Sequence, residues 1–217
     1  MAKISFDFIA LGEALIDFIS RDEVATLGAA DYYQRFAGGE PANLARNMSL
    51  FGNRVAIGTC VGDDSFGHYI KAQLDKSGID TSFVQTTLEA NTTLVPITRT
   101  AGGTPDFMVC RGADAYLKPA QGLMDAAANC RLVHTSAFAI SRDPARSTIL
   151  EALKIARGNN ALVSFDPNYH PAIQSDIPEF TSFLKRIYKY VDITKPSLDD
   201  CARIFSSELE PSEYAQL

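Results

Sequence analysis

Short apolar runs alternate along this chain with amphipathic stretches, and that alternation constrains the fold more than any other feature. Phe6 to Leu11 is a compact apolar run closed by Gly12, which suits a buried strand. Pro41 to Phe51 predicts a helix. Pro41 fits the first turn, Gly52 fits the C-terminal cap, and Leu44, Ala45, Met48 and Phe51 share one face. Arg54 to Val61 is apolar and reads as a strand. Asp63-Asp64-Ser65 then supplies cap residues for a second amphipathic helix through Phe66, Tyr69, Ile70 and Leu74, ended by Gly78. The same rhythm returns later. Leu132 to Ser136 predicts a strand, Asp143-Pro144 opens a helix ending near Gly158, and Ala161 to Phe165 predicts a strand. Ile177 to Tyr190 predicts a helix and Val191 to Thr194 a strand. A β-α-β-α order implies an α/β fold with a parallel sheet covered by helices.

Two stretches break the rhythm. After Ile16-Asp17-Phe18-Ile19 the chain turns polar until Tyr32-Tyr33-Gln34-Arg35-Phe36, without helical period, and is expected to form an excursion of strands. Leu94-Val95-Pro96-Ile97-Thr98 and Phe107-Met108-Val109-Cys110 look like two strands, with turn chemistry in Ala101-Gly102-Gly103-Thr104-Pro105 between them. No helix accompanies this hairpin, so it is expected to stand apart from the main sheet.

Composition narrows the function classes. The 217 residues suit one main domain, and 46% hydrophobic with 21% charged residues is ordinary for a globular protein with a sizeable core. A formal net charge of −6 with scattered Lys and Arg argues against a nucleic-acid binder. The N-terminal apolar run is short and carries Asp7 and Glu13, unlike a signal peptide. No stretch approaches the about 20 apolar residues that cross a bilayer. Cys60, Cys110, Cys130 and Cys201 form no CxxC pair and read as reduced, buried thiols. The expected compartment is the cytoplasm.

In a parallel sheet, ligands bind at the carboxyl ends of the strands. The polar residues at those ends are Asp17, His134-Thr135-Ser136, Asp166-Pro167-Asn168 and Lys195-Pro196-Ser197, and all should gather on one edge. Ala37-Gly38-Gly39-Glu40-Pro41-Ala42-Asn43 leads into a helix. Two glycines let backbone approach a ligand, and Asn43 in the first turn offers both a donor and an acceptor. That set suits a polyhydroxylated, uncharged ligand; the plainer reading is a Gly-Gly turn before a helix. No G-x-x-x-x-G-K-[ST] and no G-x-G-x-x-G opening a helix occurs, so P-loop and simple dinucleotide-binding enzymes lose support. His68, His134 and His170 are far apart and make no metal or catalytic triad.

Together these segments resemble the ribokinase-like (PfkB) carbohydrate kinases, closest to fructokinases and 2-keto-3-deoxygluconate kinases. The resemblance rests on Gly12-Glu13-Ala14-Leu15-Ile16-Asp17, Ala37 through Ala45, Val61-Gly62-Asp63-Asp64-Ser65-Phe66-Gly67 and Asp166-Pro167-Asn168-Tyr169, in that order. It implies a three-layer α/β/α fold with a mostly parallel central sheet and a small β-strand lid, formed by segments around 18–37 and 91–112. It implies that Asp17, Gly38, Gly39, Asn43 and Arg111 contact a monosaccharide. For Arg111 the plainer reading is a surface charge near a turn. On the nucleotide side it implies Asn168, Lys195, Ser197 and Asp200, with ATP and Mg²⁺ as cofactors and Asp200 acting on the metal through water. Lys195 to Asp200 matches a segment carrying N-x-x-E in relatives; here Ser197 and Asp200 are both shorter, and Asp199-Asp200 could be solvated helix-start acids. His170 replaces an arginine often found after Asn-Tyr.

The family's catalytic aspartate lies in a Gly-Ala-Gly-Asp motif, and no Gly-x-Gly-Asp occurs here. The resemblance therefore implies the N-terminal portion of a kinase domain, without the nucleotide loop, and inactive alone. The implied reaction is ATP-dependent phosphorylation of fructose. Ala113-Asp114-Ala115-Tyr116-Leu117 after Arg111 looks more like fructokinases, with 2-keto-3-deoxygluconate as the alternative substrate. A non-catalytic sugar-binding module, or a homodimer paired through its lid, is the contrasting class.

Overall fold

The structure is a computed structural model that describes residues 5–102, 104–169, 173–174, 177–205 and 207–214. Its centre is a six-stranded sheet in the order β5-β4-β1-β7-β8-β9, parallel at every pairing. The strands are β1 (Phe6–Leu11), β4 (Val55–Gly62), β5 (Val84–Thr87), β7 (Cys130–Ser136), β8 (Leu162–Asp166) and β9 (Ile193–Thr194). β1 shows why apolar runs rather than alternating ones mark this sheet. Phe8 and Ala10 enter one core, with Ile57, Ile70 and Leu74, while Ile9 and Leu11 enter another, with Leu123, Ile149, Leu153 and Phe165. Both faces are covered, so neither tolerates polar residues.

Helices α1 (Glu40–Leu50) and α2 (Ser65–Lys76) cover the first face. Helices α3 (Gln121–Ala128), α4 (Ala145–Gly158) and α5 (Ile177–Ile187) cover the second. Two short helices follow, α6 (Leu198–Phe205) and α7 (Pro211–Tyr214). The expected three-layer α/β/α order is therefore present. Asp64 caps α2 as expected, its Oδ1 accepting from Phe66 N at 2.9 Å and Gly67 N at 2.8 Å. No described helix is long and apolar enough to cross a membrane.

The two segments that broke the rhythm form a second, smaller sheet, ordered β3-β2-β6. β2 (Leu15–Glu23) pairs antiparallel with β3 (Tyr33–Gly38) and parallel with β6 (Leu94–Arg99). The expected hairpin partner of β6 is not a regular strand. Residues 107–110 make only isolated bridges, Leu94↔Cys110 and Ile97↔Phe107. Pro96 sits between them and has no N–H, so it accepts from Met108 N but donates nothing back. β5 and α3 were not expected from the sequence. His170 lies outside the described residues, as does Gly103 in the turn.

Candidate functional site

The carboxyl edge of the main sheet and the inner side of the small sheet enclose a cleft of about 710 Å³, within the usual range for a small-molecule site. At one end lie Asp17, Gly39 and Asn43; at the other lie Asp166, Asn168, Lys195, Ser197 and Asp200. Leu15, Val95, Ile97, Phe107 and Val109 form an apolar wall, largely from the small sheet.

Asp17 sits in the middle of β2, opposite Phe36 of β3 and Val95 of β6. A Cβ on Gly38 would collide with its carboxylate, and one on Gly39 would collide with the Glu13 carbonyl oxygen. Gly39 also has φ of 101°, a conformation side chains rarely adopt. The glycine pair therefore exists to let β2 and the start of α1 meet beside the cleft. Gly38 lies behind Asp17 rather than on the cleft wall. Burial pushes the Asp17 carboxyl up to about 6, against the pull of Arg46. Arg46 Nη1 donates to Asn43 Oδ1 at 2.9 Å and to Ala37 O at 2.8 Å. Arginine only donates, so this orients Asn43 and leaves its Nδ2 donor for a ligand.

Beneath α1 lies a layer in which His134 and Ser136 were expected at the edge, but Glu13 and the pairings were not. Glu13 is 2% exposed and accepts from Ser136 Oγ at 2.9 Å and from Glu40 N at 3.3 Å. Burial pushes its carboxyl up to about 8, with the charges of Glu40 and Asp114 adding to the effect. The Glu40 carboxylate meets His134 Nε2 at 2.9 Å, and His134 Nδ1 meets Ser164 Oγ at 3.1 Å. Glu13 and Ser136 are 123 positions apart, and Glu40 and His134 are 94. The one available signal was the placement of Glu13 and His134 at strand ends.

The far end of the cleft is held differently from expectation. Ser197 and Asp200 form a reciprocal capping box at the start of α6. Asp200 Oδ2 accepts from Ser197 N at 2.9 Å and Ser197 Oγ at 2.6 Å, and Ser197 Oγ accepts from Asp200 N at 3.0 Å. Asp200 Oδ1 accepts from Tyr169 N at 2.7 Å. Asp200 is thus a buried clamp between α6 and the loop carrying Asn168, while Asp199 is exposed. Asn168 has φ of 30°, held by its N–H donating to Asp166 Oδ1 at 3.0 Å. The Asp166 carboxyl is raised by burial and by the neighbouring charges of Glu40 and Asp200. Lys195 has no ion-pair partner among the described residues.

Arg111 requires a correction. It is neither on the cleft wall nor a surface charge. Its side chain is 4% exposed, with Nε 2.6 Å from Asp114 Oδ2 and Nη1 donating to Ser141 Oγ at 2.6 Å. The guanidinium lies over the Phe138 ring, 4.0 Å from its centroid. Apolar packing after β7 supplied a buried pocket that the local sequence did not announce.

Among the described residues, no group of three or more His, Cys, Asp or Glu could hold a metal ion directly. All four cysteines are free; Cys110 is exposed and the other three are buried. The cleft can thus hold a polyhydroxylated ligand at one end and offers an amine, an amide and carboxylates at the other.

Residues 6–217 match the sequence model of the pfkB family carbohydrate kinases. The chain is 33% identical to an ATP-dependent 6-phosphofructokinase of Thermoanaerobacterium thermosaccharolyticum, over 94% of this chain and 62% of that protein. It is 30% identical to a probable fructokinase-3 of Arabidopsis thaliana, over 87% of this chain and 55% of that protein. The chain therefore spans less than two thirds of the length of both. The fold is similar to Halothermothrix orenii fructokinase, with a TM-score of 0.86 and 34% identity over 97% of this chain and 74% of that one. An uncharacterized sugar kinase from Pyrococcus horikoshii in complex with ATP is similar at a TM-score of 0.82 and 25% identity, over 94% and 67%.

Proposed function

The chain belongs to the pfkB family of carbohydrate kinases, and from that premise we propose that the protein carrying it transfers the γ-phosphate of ATP to a hydroxyl of a neutral monosaccharide, fructose. One observation carries the choice of a neutral sugar. The sugar end of the cleft is lined by Asp17, Glu40 and Asn43 beside the buried Glu13, and Arg46, the cation next to them, is engaged by Asn43 Oδ1 and the Ala37 carbonyl rather than lining the cleft. At an effective dielectric of 20, a like charge about 4 Å from a carboxylate costs about 4 kcal/mol, more than a charged hydrogen bond returns. A sugar phosphate or a sugar acid such as 2-keto-3-deoxygluconate would meet that repulsion; fructose would not. The similarity to fructokinases supports this choice over the 6-phosphofructokinase relative.

In this reading the ionised Asp17 accepts from sugar hydroxyls and Asn43 Nδ2 donates to one. Gly38 and Gly39 give these two groups room to converge. The apolar wall of Val95, Ile97, Phe107 and Val109 covers the sugar and excludes the water that would otherwise take the phosphate. Asn168 and Lys195 hold the polyphosphate. Mg²⁺ carried by the nucleotide would supply charge neutralisation, and Asp166, whose carboxyl is crowded by Glu40 and Asp200, would face it through water. Asp200 acts there through the loop it clamps, with water between it and the metal. No residue among these 217 matches the family's Gly-Ala-Gly-Asp base for the hydroxyl proton. We place the protein in the cytoplasm and its homodimer contact at β3, the open edge of the small sheet.

The test is a coupled assay of the protein encoded by the full reading frame, with Mg-ATP and fructose, fructose 6-phosphate or 2-keto-3-deoxygluconate. Fructose is expected to give the highest kcat/KM. A higher value for either anion would overturn the proposal. Gly38→Ala, which pushes Asp17 out of place, is expected to lower kcat/KM for fructose at least tenfold, about 1.4 kcal/mol.

A further inference from the structure

Among the described residues no cation lines the sugar end, where Arg46 is engaged by Asn43, yet Arg111 lies a single ring away. Arg111 sits behind Phe138, and Phe138 itself lines the cleft. Its Nη2 has no hydrogen-bond partner among the described residues. Glu13, on the cleft wall, is near enough to Arg111 that its ionised form would act on the guanidinium. What opposes the guanidinium is Asp114, whose side chain is fully buried. One oxygen of Asp114 faces Arg111 Nε, and the other accepts from the Thr93 hydroxyl. Thr93 in turn accepts from Gly112 N at 2.8 Å, so the carboxylate is fixed from two sides. A pair needed only for packing could be replaced by apolar side chains of similar volume at little cost. A carboxylate does something those cannot: it cancels the charge of the arginine and keeps the guanidinium where it is.

Resting on the neutral-sugar reading above, we propose that Asp114 is a specificity-determining residue: by holding Arg111 behind Phe138, it keeps the charge of Arg111 out of the sugar end of the cleft and so selects neutral monosaccharides over those carrying a carboxylate or phosphate. Asp114 touches no substrate. It acts through the charge and position of Arg111, and Phe138 is the screen between that charge and the ligand.

The test compares D-fructose with D-gluconate, a neutral and an anionic probe of similar size, by calorimetric binding to the full-length protein. In Asp114→Asn the ratio of the gluconate to the fructose dissociation constant is expected to fall at least tenfold, with fructose itself within threefold of wild type. The double variant Arg111→Met/Asp114→Leu removes both charges and should keep the wild-type ratio. An Asp114→Asn protein that binds fructose with an unchanged ratio would overturn the proposal, as would a double variant that shifts equally, since loosened packing would then explain the change. Should Asp114→Asn fail to fold, the Arg111 Nε–H resonance of the wild-type protein decides. It is expected to stay fixed as gluconate is added, and its movement would overturn the proposal. A wild-type protein that prefers gluconate would defeat the neutral-sugar reading itself, a separate outcome from failure of the lock.

Discussion

Glu13 holds a proton at neutral pH because its carboxyl is taken out of water beside the charges of Glu40 and Asp114, an effect that outweighs the support its ionised form gets from backbone N–H groups and Ser136. Its folded pKa of about 8 lies above the ordinary 4.5. Between those values the folded chain binds a proton that the unfolded chain has released. The stabilising contribution is therefore complete below pH 4.5 and is lost as pH rises toward 8. The raised Asp17, at about 6, acts in the same direction. Glu13→Gln removes only the Glu13 part. The wild type should lose stability relative to this variant by about 2 kcal/mol or more between pH 5 and 8, read from urea midpoints, at about 1.4 kcal/mol per pH unit. Parallel curves for the two proteins would show that Glu13 titrates normally. None of this was visible locally: Glu13 reads as one polar residue after a strand, and its partners lie more than a hundred positions away or on the next helix.

Among the elements, those with strong periodicity were legible and those without were not. β1, α1, α2 and α4 carry apolar runs or stripes, bounded by Gly12, Gly52, Asp64 and Gly158. β5 reads Val-Gln-Thr-Thr because it is an edge strand paired only with β4. α3 begins at Ala120 without a side-chain cap and is Ala-rich, so no signal marked its start. Ser197 and Asp200 were expected on the phosphate side, and in the structure they also form the α6 capping box. The two roles separate experimentally. Asp200→Ala leaves the N–H groups of Ser197 and the buried Tyr169 without their acceptor and should cost about 1–3 kcal/mol of unfolding free energy, measured by urea. Unchanged stability with weakened Mg-ATP binding would instead mark Asp200 as a nucleotide residue.

At the scale of the molecule, two sheets of different character meet at the cleft. β4 is buried along its whole length, whereas β2 and β3 are half-exposed. Opening free energies should follow that contrast. Amides of β1, β4 and β7 are expected to exchange slowest, those of β2, β3 and β6 faster. Saturating fructose should slow exchange chiefly in β2, β3 and β6, where Asp17 and the apolar wall reside. Hydrogen exchange read by mass spectrometry would check this, and protection appearing only at β8 and β9 would place the sugar at the wrong end of the cleft.

The sequence alone determined the alternation of most strands and helices and the parallel sheet they build, because hydrophobic period and chain direction are local properties. It also singled out Asn168 and Lys195, which follow strands of that sheet, whereas Asp17 and Gly39 reach the same cleft from the small sheet, Asp17 from the middle of β2 rather than from a strand end. Only the tertiary structure decided what the charged groups do. Arg111 is neutralised by Asp114 beneath Phe138, Asp200 is bound to backbone, and Glu13 keeps its proton. The state and reach of a charge depend on burial and on partners that folding brings from distant parts of the chain, and no local pattern encodes those.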